Sequence, residues 1–389
     1  MYLVQGFDLP SIPECPTRDE GLRALEFAGN LFSECAFADK GPGYPFTSVG
    51  LSAALSVVVA GMARLLMSGI PMLTCTAATP GSGKSFIGTL IGLWMTGREI
   101  PVSNVAVGSA GELDKRLTAA LLGGAPMIHL DNCNGKLDSE LLCQILTERS
   151  VAVRPLGVSE EVTISGMPLV LANGNNVQVD ENLARRTLLV ELDAGMEKPE
   201  LRHFNLRPDH LLRENRGDYV AAILTALRAY LLALKRGDAK PIAPAVGSFD
   251  GWSDYSRSLM VWYGYRDPIE AMAIAQAEDP EKAARGAVFK GLHVLFGDRP
   301  FTAGELIRRI EAAENDVLDE RPDEAGVCAQ VQENLRSLLP KHNRTLNTQS
   351  LGILFRSWAT KVEMGLTFKR LERNAANVTT YVIVPTCVA

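Results

Sequence analysis

The sequence predicts an α/β protein: a doubly wound, mostly parallel sheet, then a helical lid, then a C-terminal winged helix. Three observations carry this. Strand-length apolar runs alternate with helix-length runs from about residue 46 to 196, as in a parallel sheet with helices on both faces. One strand–helix joint, Ala78 to Ser85, reads ATPGSGKS. The chain ends in helices followed by a basic pair of strand-like runs, the order of a helix-turn-helix variant. The expected organisation is an N-terminal helical segment (1–45), a core (46–196), a helical lid or linker (197–288) and a winged-helix segment (289–389).

The octapeptide fits the phosphate-binding pattern G-x-x-x-x-G-K-[ST], with Ala78 in place of the first glycine. An apolar strand, Pro71 to Ala77, precedes it, and an apolar helix, Phe86 to Met95, follows. Gly81 and Gly83 allow backbone N–H groups to turn inward around a phosphate, and the new helix adds its positive end. Pro80, Gly81, Ser82, Gly83, Lys84, Ser85 and Phe86 are therefore the expected ATP-binding residues. Lys84 would reach the β- and γ-phosphates, and Ser85 would hold Mg²⁺. An ordinary glycine-rich turn is the plain alternative.

The chain has 389 residues, 47% hydrophobic and 22% charged, enough for two or three domains with their own cores. Seven cysteines form no CxxC pair, and His129, four residues before Cys133, gathers no further ligands. That usage fits a reducing, cytoplasmic setting without a disulfide framework or zinc site. No basic, apolar leader follows Met1. Leu51 to Met67 is apolar but rich in Ala and Ser and carries Arg64, so a buried helix is expected there, not a membrane span. Net charge is −6, which disfavours nucleic-acid binding by the chain as a whole. From Arg336 onward, however, eight basic residues face two acidic ones, so the tail carries +6 and the rest −12.

Before Pro45 a helix is expected from Arg18 to Cys35, between Pro/Gly-rich breaks. After the phosphate loop come a strand (Val102 to Val107), a helix (Glu112 to Leu122), and a strand (Pro126 to Leu130) ending in Asp131. A helix (Leu137 to Glu148) leads to a hairpin of Val151 to Leu156 and Glu161 to Ile164. A strand (Pro168 to Ala172) ends in Asn173, and Thr187 to Leu192 is the last strand. Helices are expected from Glu197 to about Ala284, clearest at Tyr219 to Leu234, with a break at Gly237 to Pro244. The final segment opens with a capping box at Thr302 and Glu305. It continues with a helix from Asn347 to Lys361 and strands Leu366 to Leu371 and Thr379 to Val384, joined by a turn at Asn374 to Asn377.

Ligands of open parallel sheets bind beyond the carboxyl ends of the strands, where Asp131 and Asn173 fall. A carboxylate at Asp131 can hold Mg²⁺ through water opposite Ser85; helix capping is the plain alternative. The Asn173 amide can hydrogen-bond a γ-phosphate or the attacking water, or simply form a turn before Gly174. Arg185 and Arg186 would project away from their own subunit's phosphate. In a ring they could meet the neighbour's γ-phosphate as an arginine finger, with Arg186 ahead, or be a solvated pair. Arg154 lies on the hairpin, which is equally a nucleic-acid contact or a surface excursion. In the tail, Arg356, Lys361, Lys369, Arg370 and Arg373 are candidates for phosphate contacts with DNA.

Phosphate loop, Asp131, inserted hairpin, Asn173, arginine pair and helical lid stand in the order that resembles an AAA+ ATPase. The hairpin before the Asn173 strand is similar to that of superfamily 3 and minichromosome-maintenance-like helicases. The runs LDNCNG, LTERSVAVRPLG, LANGNN and ENLARRTLLVELD resemble ATPase modules of phage- and mobile-element-encoded primase-helicases. The resemblance covers about Phe46 to Asp193, and the lid and tail more loosely. It implies that Lys84 and Ser85 bind nucleotide and Mg²⁺, Asp131 is the acidic-box carboxylate, Asn173 is the sensor, and Arg186 or Arg185 is the finger. Ala78 and Asn132 depart from the pattern. Many such proteins carry a Glu at the position of Asn132 to activate water; here either Asn132 merely orients the water, or an acid elsewhere such as Asp138 or Glu140 helps, or hydrolysis is slow.

The resemblance implies a ring-forming, ATP-driven DNA helicase or translocase, hexameric, acting in replication of a mobile element. Single-stranded DNA would occupy the ring channel, and duplex DNA the winged helix. Such proteins often carry a primase domain upstream; none is expected ahead of Phe46, so the chain is expected to be a stand-alone helicase or a helicase portion, with a primase or primase-polymerase as a candidate partner. The alternatives are a helicase loader or origin-binding ATPase, and an ATP-switched DNA-binding regulator.

Overall fold

The computed structural model describes residues 9–104, 110–133, 135–157, 159–277, 280–314, 322–340, 344–373 and 377–386. They divide into two compact units, 1–276 and 277–389, and each has its own core.

In the first unit the strands are β1 (Met72–Ala77), β2 (Val102–Asn104), β3 (Met127–Asp131), β4 (Lys136–Leu137), β5 (Ser150–Val153), β6 (Val162–Ser165), β7 (Leu169–Asn175), β8 (Gln178–Val179) and β9 (Thr187–Glu191). Five of them form one sheet in the order β2-β3-β7-β1-β9, and every neighbouring pair is parallel. The sheet is thus wholly parallel, where a mostly parallel one was expected. All six residues of β1 are buried, which explains its unbroken apolar run at the centre of the sheet. The sheet crosses from β1 to β7 with Cys75 beside Asn173, and from β3 to β7 with His129 beside Leu171. β5 and β6 pair antiparallel as the expected hairpin, with Val151 opposite Ile164. β4 and β8 form a small parallel pair.

Two expected elements of this unit are shorter than the sequence suggests. The first helix is Arg18–Gly29, closed at its start by a Thr17–Glu20 capping box, and passes into a tight turn at Asn30–Phe32 well before Cys35. The helix after Asp131 is Glu140–Thr147, because Ser139 caps it and Leu137 is taken into β4. The described part of the second strand is Val102–Asn104; residues 105–107 of the expected run lie outside the described residues.

Helix Val49–Met62 is capped by Ser48 and buried from Gly50 to Gly61, as expected of the Leu51 to Met67 stretch, whose end instead forms a short turn at Arg64–Leu66. By length and composition a different helix, Pro208–Arg236, could cross a membrane, but 67% of its apolar window is buried within the fold. This 29-residue helix is kinked at Asn215. Phe27 of the first helix stacks on its Tyr219 at 4.7 Å between ring centroids. One residue past the kink, Arg216 donates to the carbonyls of Trp94 (2.8 Å) and Met95 (3.0 Å), the last turn of helix Lys84–Thr96. A guanidinium there satisfies orphan carbonyls and meets the negative end of the helix dipole. Between 197 and 276 the helices are interrupted by an irregular stretch after Gly237, as expected. Leu25, Phe32, Trp94, Leu130, Leu188, Tyr230, Trp252 and Ala275 belong to one continuous core, so the expected segments 1–45 and 46–196 share it with the part of the expected 197–288 segment up to residue 276.

The second unit begins earlier than 289, because helix Pro280–Phe296 brings Val288, Phe289 and Leu292 into its core. Helices Ala303–Glu314, Pro322–Leu338 and Thr348–Ser357 follow. A three-stranded antiparallel sheet closes the unit: β10 (Val362–Glu363), β11 (Leu366–Arg373) and β12 (Thr379–Pro385). The Thr302–Glu305 box forms, with Thr302 N–H donating to Glu305 at 2.8 Å and Glu305 N–H to Thr302 Oγ1 at 3.1 Å. The helix expected from Asn347 to Lys361 stops at Ser357, with Asn347 as its cap. The expected turn at 374–377 lies outside the described residues except for Asn377. Phe289, Phe301, Phe355, Trp358, Phe368 and Tyr381 pack edge-to-face and tilted within 6.3 Å of one another in sequence of contact.

Beside that aromatic core lies a buried ion pair. Arg285 donates to Glu363 Oε1 at 2.8 Å and 2.5 Å, and the side chains are 5% and 7% exposed. Removing one partner strands a buried charge, whereas replacing both does not. Glu363→Ala should therefore destabilise the second unit by about 3–5 kcal/mol, and Arg285→Met/Glu363→Leu by far less. Denaturant unfolding of the three proteins checks this; equal losses for single and double variants would refute it.

Candidate functional site

The phosphate loop leaves β1 at Ala77 and enters helix Lys84–Thr96. Gly81 (φ 78°) and Gly83 (φ 93°) take the left-handed conformation that lets the chain curl, and Gly83 stands at the helix N-cap. Ala78 is not among the positive-φ residues, so the methyl in place of the usual glycine hydrogen costs no backbone strain. Lys84 is 9% exposed, and its ammonium donates to the Thr79 carbonyl at 3.2 Å. Burial lowers its pKa, opposed by the charges of Cys75 and Asp131.

Three parallel strands end at this edge, and their ends bring the polar residues together. Ser85 Oγ lies 3.3 Å and 3.4 Å from the two Asp131 oxygens. The Asn173 amide donates to Ser85 Oγ at 3.0 Å and also to Asp131 Oδ1. Asn173 is 2% exposed and lies inside β7, not in a turn. Gly174 is needed for a different reason: a Cβ there would sit 2.4 Å from the Cys133 carbonyl oxygen. Cys133 N–H in turn donates to the Asn173 carbonyl at 3.0 Å, which hooks the end of β3 onto β7. Behind Asn173 stands His129, 2% exposed, with Nε2 2.6 Å from Asn173 Oδ1. Burial lowers its pKa, against the contrary effects of the Asn173 bond and the Asp131 charge.

Ser85 Oγ and the Asp131 carboxylate are hard oxygen donors on one side of the loop, the set Mg²⁺ prefers when phosphate and water complete its shell. Among the described residues no group of three or more His, Cys, Asp or Glu side chains could hold a metal alone. Asn132 adopts φ 52°, and its N–H donates to Asp131 Oδ1 at 2.7 Å. Asp138 and Glu140 are placed elsewhere: with Asp180, Asn182 and Arg186 they line a separate depression of about 240 Å³.

Arg185 and Arg186 precede β9. The Arg186 carbonyl accepts from Met72 N–H (2.9 Å) at the start of the β1–β9 ladder, so both arginines lie at the edge of the sheet opposite the phosphate loop. Arg186 donates to the Asn182 carbonyl at 2.6 Å, and its buried Nε has no hydrogen-bond partner. Arg185 is exposed. Arg154 follows β5 at the exposed tip of the hairpin, near Leu156, which is 84% exposed. In the second unit, Arg356 is exposed on helix Thr348–Ser357, Lys361 is half-buried, and Lys369, Arg370 and Arg373 lie in the exposed half of β11. Arg373 also donates to Asn377 Oδ1 at 3.0 Å.

Sequence reasoning missed a cavity of about 410 Å³ beside Gly81, Ser82 and Gly83. Leu31, Cys35, Phe86, Phe204 and Leu206 give it apolar walls. The Glu34 carboxylate fixes one wall by accepting from Leu206 N–H, Asn205 N–H and the Asn205 amide, each at 2.9 Å. Those bonds, Leu206 first, hold its pKa low. Arg202 lies over the Phe204 ring at 4.9 Å. Burial pushes the Cys35 thiol up to about 12, so the thiol itself adds no charge to that wall. The cavity has the size and polarity to accept a planar base whose phosphates rest on the loop. No spacing rule could have found it, because residues 31–35 and 202–208 meet only through the fold.

Stacking of a base on an aromatic ring contributes roughly 1–3 kcal/mol. Phe204→Ala and Phe86→Ala should each weaken ATP binding about 5- to 100-fold, with the fold retained. Titration calorimetry reads this; unchanged affinity in both variants would remove the base from this cavity.

No described protein family matches the sequence, and no curated protein matches it. Among solved structures, the apo NrS-1 C-terminal region is similar over 99% of this chain and 78% of that chain, with 11% identity and a TM-score of 0.43. A second structure of the same region gives 10% identity, the same coverage and 0.42. JCV helicase bound to a thiazolopyridine acetamide is similar over 55% of this chain and 61% of its own, with 15% identity and a TM-score of 0.26. At these distances the site stands on its own geometry.

Proposed function

We propose that this chain is an AAA+-type ATPase that hydrolyses ATP at the seam between subunits of a hexameric ring and uses the cycle to move DNA as a helicase. The observation that carries the reading is the Ser85–Asp131–Asn173 cluster at the mouth of the phosphate loop. In this reading the N–H groups of 81–85 cradle the phosphates, and Lys84 exchanges the Thr79 carbonyl for phosphate oxygen. Ser85 and Asp131 hold Mg²⁺, which neutralises phosphate charge when bound. The Asn173 amide, already aimed at this point, donates to the γ-phosphate or orients the attacking water. Asn132 carries no carboxylate to accept the water's proton, so hydrolysis is slow in the absence of a further acid.

Arg185 is the group offered to a neighbouring subunit, and Arg186 holds the start of β9 in place; this reverses the order suggested by sequence. The support is that Arg186 is bound to Asn182 while Arg185 is exposed. Single-stranded DNA would contact Arg154 on the hairpin in the ring channel. Duplex DNA would contact Arg356, Lys361, Lys369, Arg370 and Arg373 on a winged-helix second unit, with residues 197–276 acting as the lid. Replication of a mobile element and a primase partner belong to the same reading. The missing carboxylate at Asn132 also favours a second reading, a DNA-binding regulator that uses ATP binding as a switch; a helicase loader or origin-binding ATPase would instead hydrolyse ATP without unwinding.

A strand-displacement assay separates the two. Wild type should unwind a forked duplex in an ATP-dependent manner and Lys84→Ala should not; DNA binding without unwinding by either would remove the helicase reading. The seam is tested by mixing. Arg185→Ala should lose roughly 10³-fold in ATPase rate, as should Lys84→Ala. Their mixture should regain activity, because one variant keeps the nucleotide site and the other keeps the arginine. A mixture no more active than its parts would rule out a shared site.

A further inference from the structure

We infer that His129 is a positioning residue for ATP hydrolysis: its Nε2–H anchors Asn173 Oδ1 while Ser85 and Asp131 hold Nδ2, so that the amide is fixed at both ends. The inference rests on the reading of Asn173 given above. It follows from donor and acceptor chemistry. An ionised Asp131 only accepts, so the Asn173 atom bound to it must be Nδ2. Nδ2 also faces Ser85 Oγ at 3.0 Å. Oδ1 therefore faces His129 Nε2 at 2.6 Å, and because a carbonyl oxygen only accepts, Nε2 must carry the proton.

The ring cannot easily turn away from this duty. His129 lies in β3 among buried strands, 2% exposed. The ring also packs against Gly88, in the second turn of the helix that starts at Lys84. A Cβ at Gly88 would sit 2.3 Å from Cε1 and 2.5 Å from Nε2 of the ring. The imidazole is thus clamped between the phosphate-loop helix and the Asn173 amide. Without the donor, the amide is held only at its Nδ2 end by Ser85 and Asp131, and it loses the second anchor that keeps Nδ2 in line with an incoming phosphate. Supporting groups of this kind typically change activity 10- to 100-fold without touching the ligand.

The test uses the full chain with His129→Leu, which removes the donor, and His129→Gln, whose amide nitrogen can still donate to Asn173. His129→Leu should lower kcat about tenfold or more while the KM for ATP stays within about twofold. His129→Gln should recover to within about threefold of wild type. Gly88→Ala, which displaces the ring without altering it, should behave like His129→Leu and serves if that variant does not fold. A normal kcat in His129→Leu, or an equal loss in Leu and Gln, overturns the inference. If wild type hydrolyses ATP no faster than Lys84→Ala, the proposed function fails, but the contact is still decided by NMR. The Asn173 side-chain amide pair, identified by its loss in Asn173→Ala, should shift in His129→Leu and hold its position in His129→Gln. No shift in the Leu variant refutes the positioning role by itself.

Discussion

The arrangement of the first unit depends on one constraint: polar groups at the ends of buried parallel strands must satisfy one another. β1, β7 and β3 are adjacent, run the same way, and end at the same edge. Asn173 is almost wholly buried there, where an unpaired amide would cost about 1–3 kcal/mol. Both ends of its side chain are taken, by His129 on one side and by Ser85 and Asp131 on the other. Its carbonyl is taken by Cys133. The close approaches at Gly88 and Gly174 follow from the same crowding, since a methyl group at either position would collide with this network. The phosphate loop is therefore attached to a hydrogen-bonded edge in which every member limits the others.

How much of this was legible in the sequence depends on how local the chemistry is. The phosphate loop was readable because glycines, lysine and serine act within eight consecutive residues and lie between a strand and a helix. Asp131 and Asn173 were readable as strand ends, and the fold brings them together. The dipeptide Asn173–Gly174 also read as a turn, because turn chemistry and close backbone packing both call for glycine; only the β3–β7 contact tells them apart. His129 gave no signal, since a single histidine in an apolar run is most simply a core residue. The cavity beside the loop was hidden because its walls come from segments some 170 residues apart, joined through Glu34. Leu137 was read as helical because apolar periodicity continues into the helix, yet it pairs with Val179 in a two-strand ladder.

Charge is handled differently in the two units. In the first, Arg257 is nearly buried and makes a two-pronged bond to Asp267, while also donating to the Pro244 carbonyl. The guanidinium there is a structural fastener, with its geometry fixed on several sides. In the second unit one such fastener, Arg285 on Glu363, is buried, and the remaining basic residues of β11 stand on its exposed half. Among the described residues the basic side chains of the tail are in contact with water, where their charge attracts polyanions over about a Debye length.

The grip of Arg216 on the last turn of the phosphate-loop helix has a mechanical consequence. It lies next to the kink at Asn215, so the long helix is fastened at its own point of flexure. From Arg216 to Arg236 the helix extends about 30 Å. A tilt of the nucleotide-side helix by about 5° would swing the far end of this arm by about 3 Å, as a crank turns a small rotation at the pivot into a longer stroke.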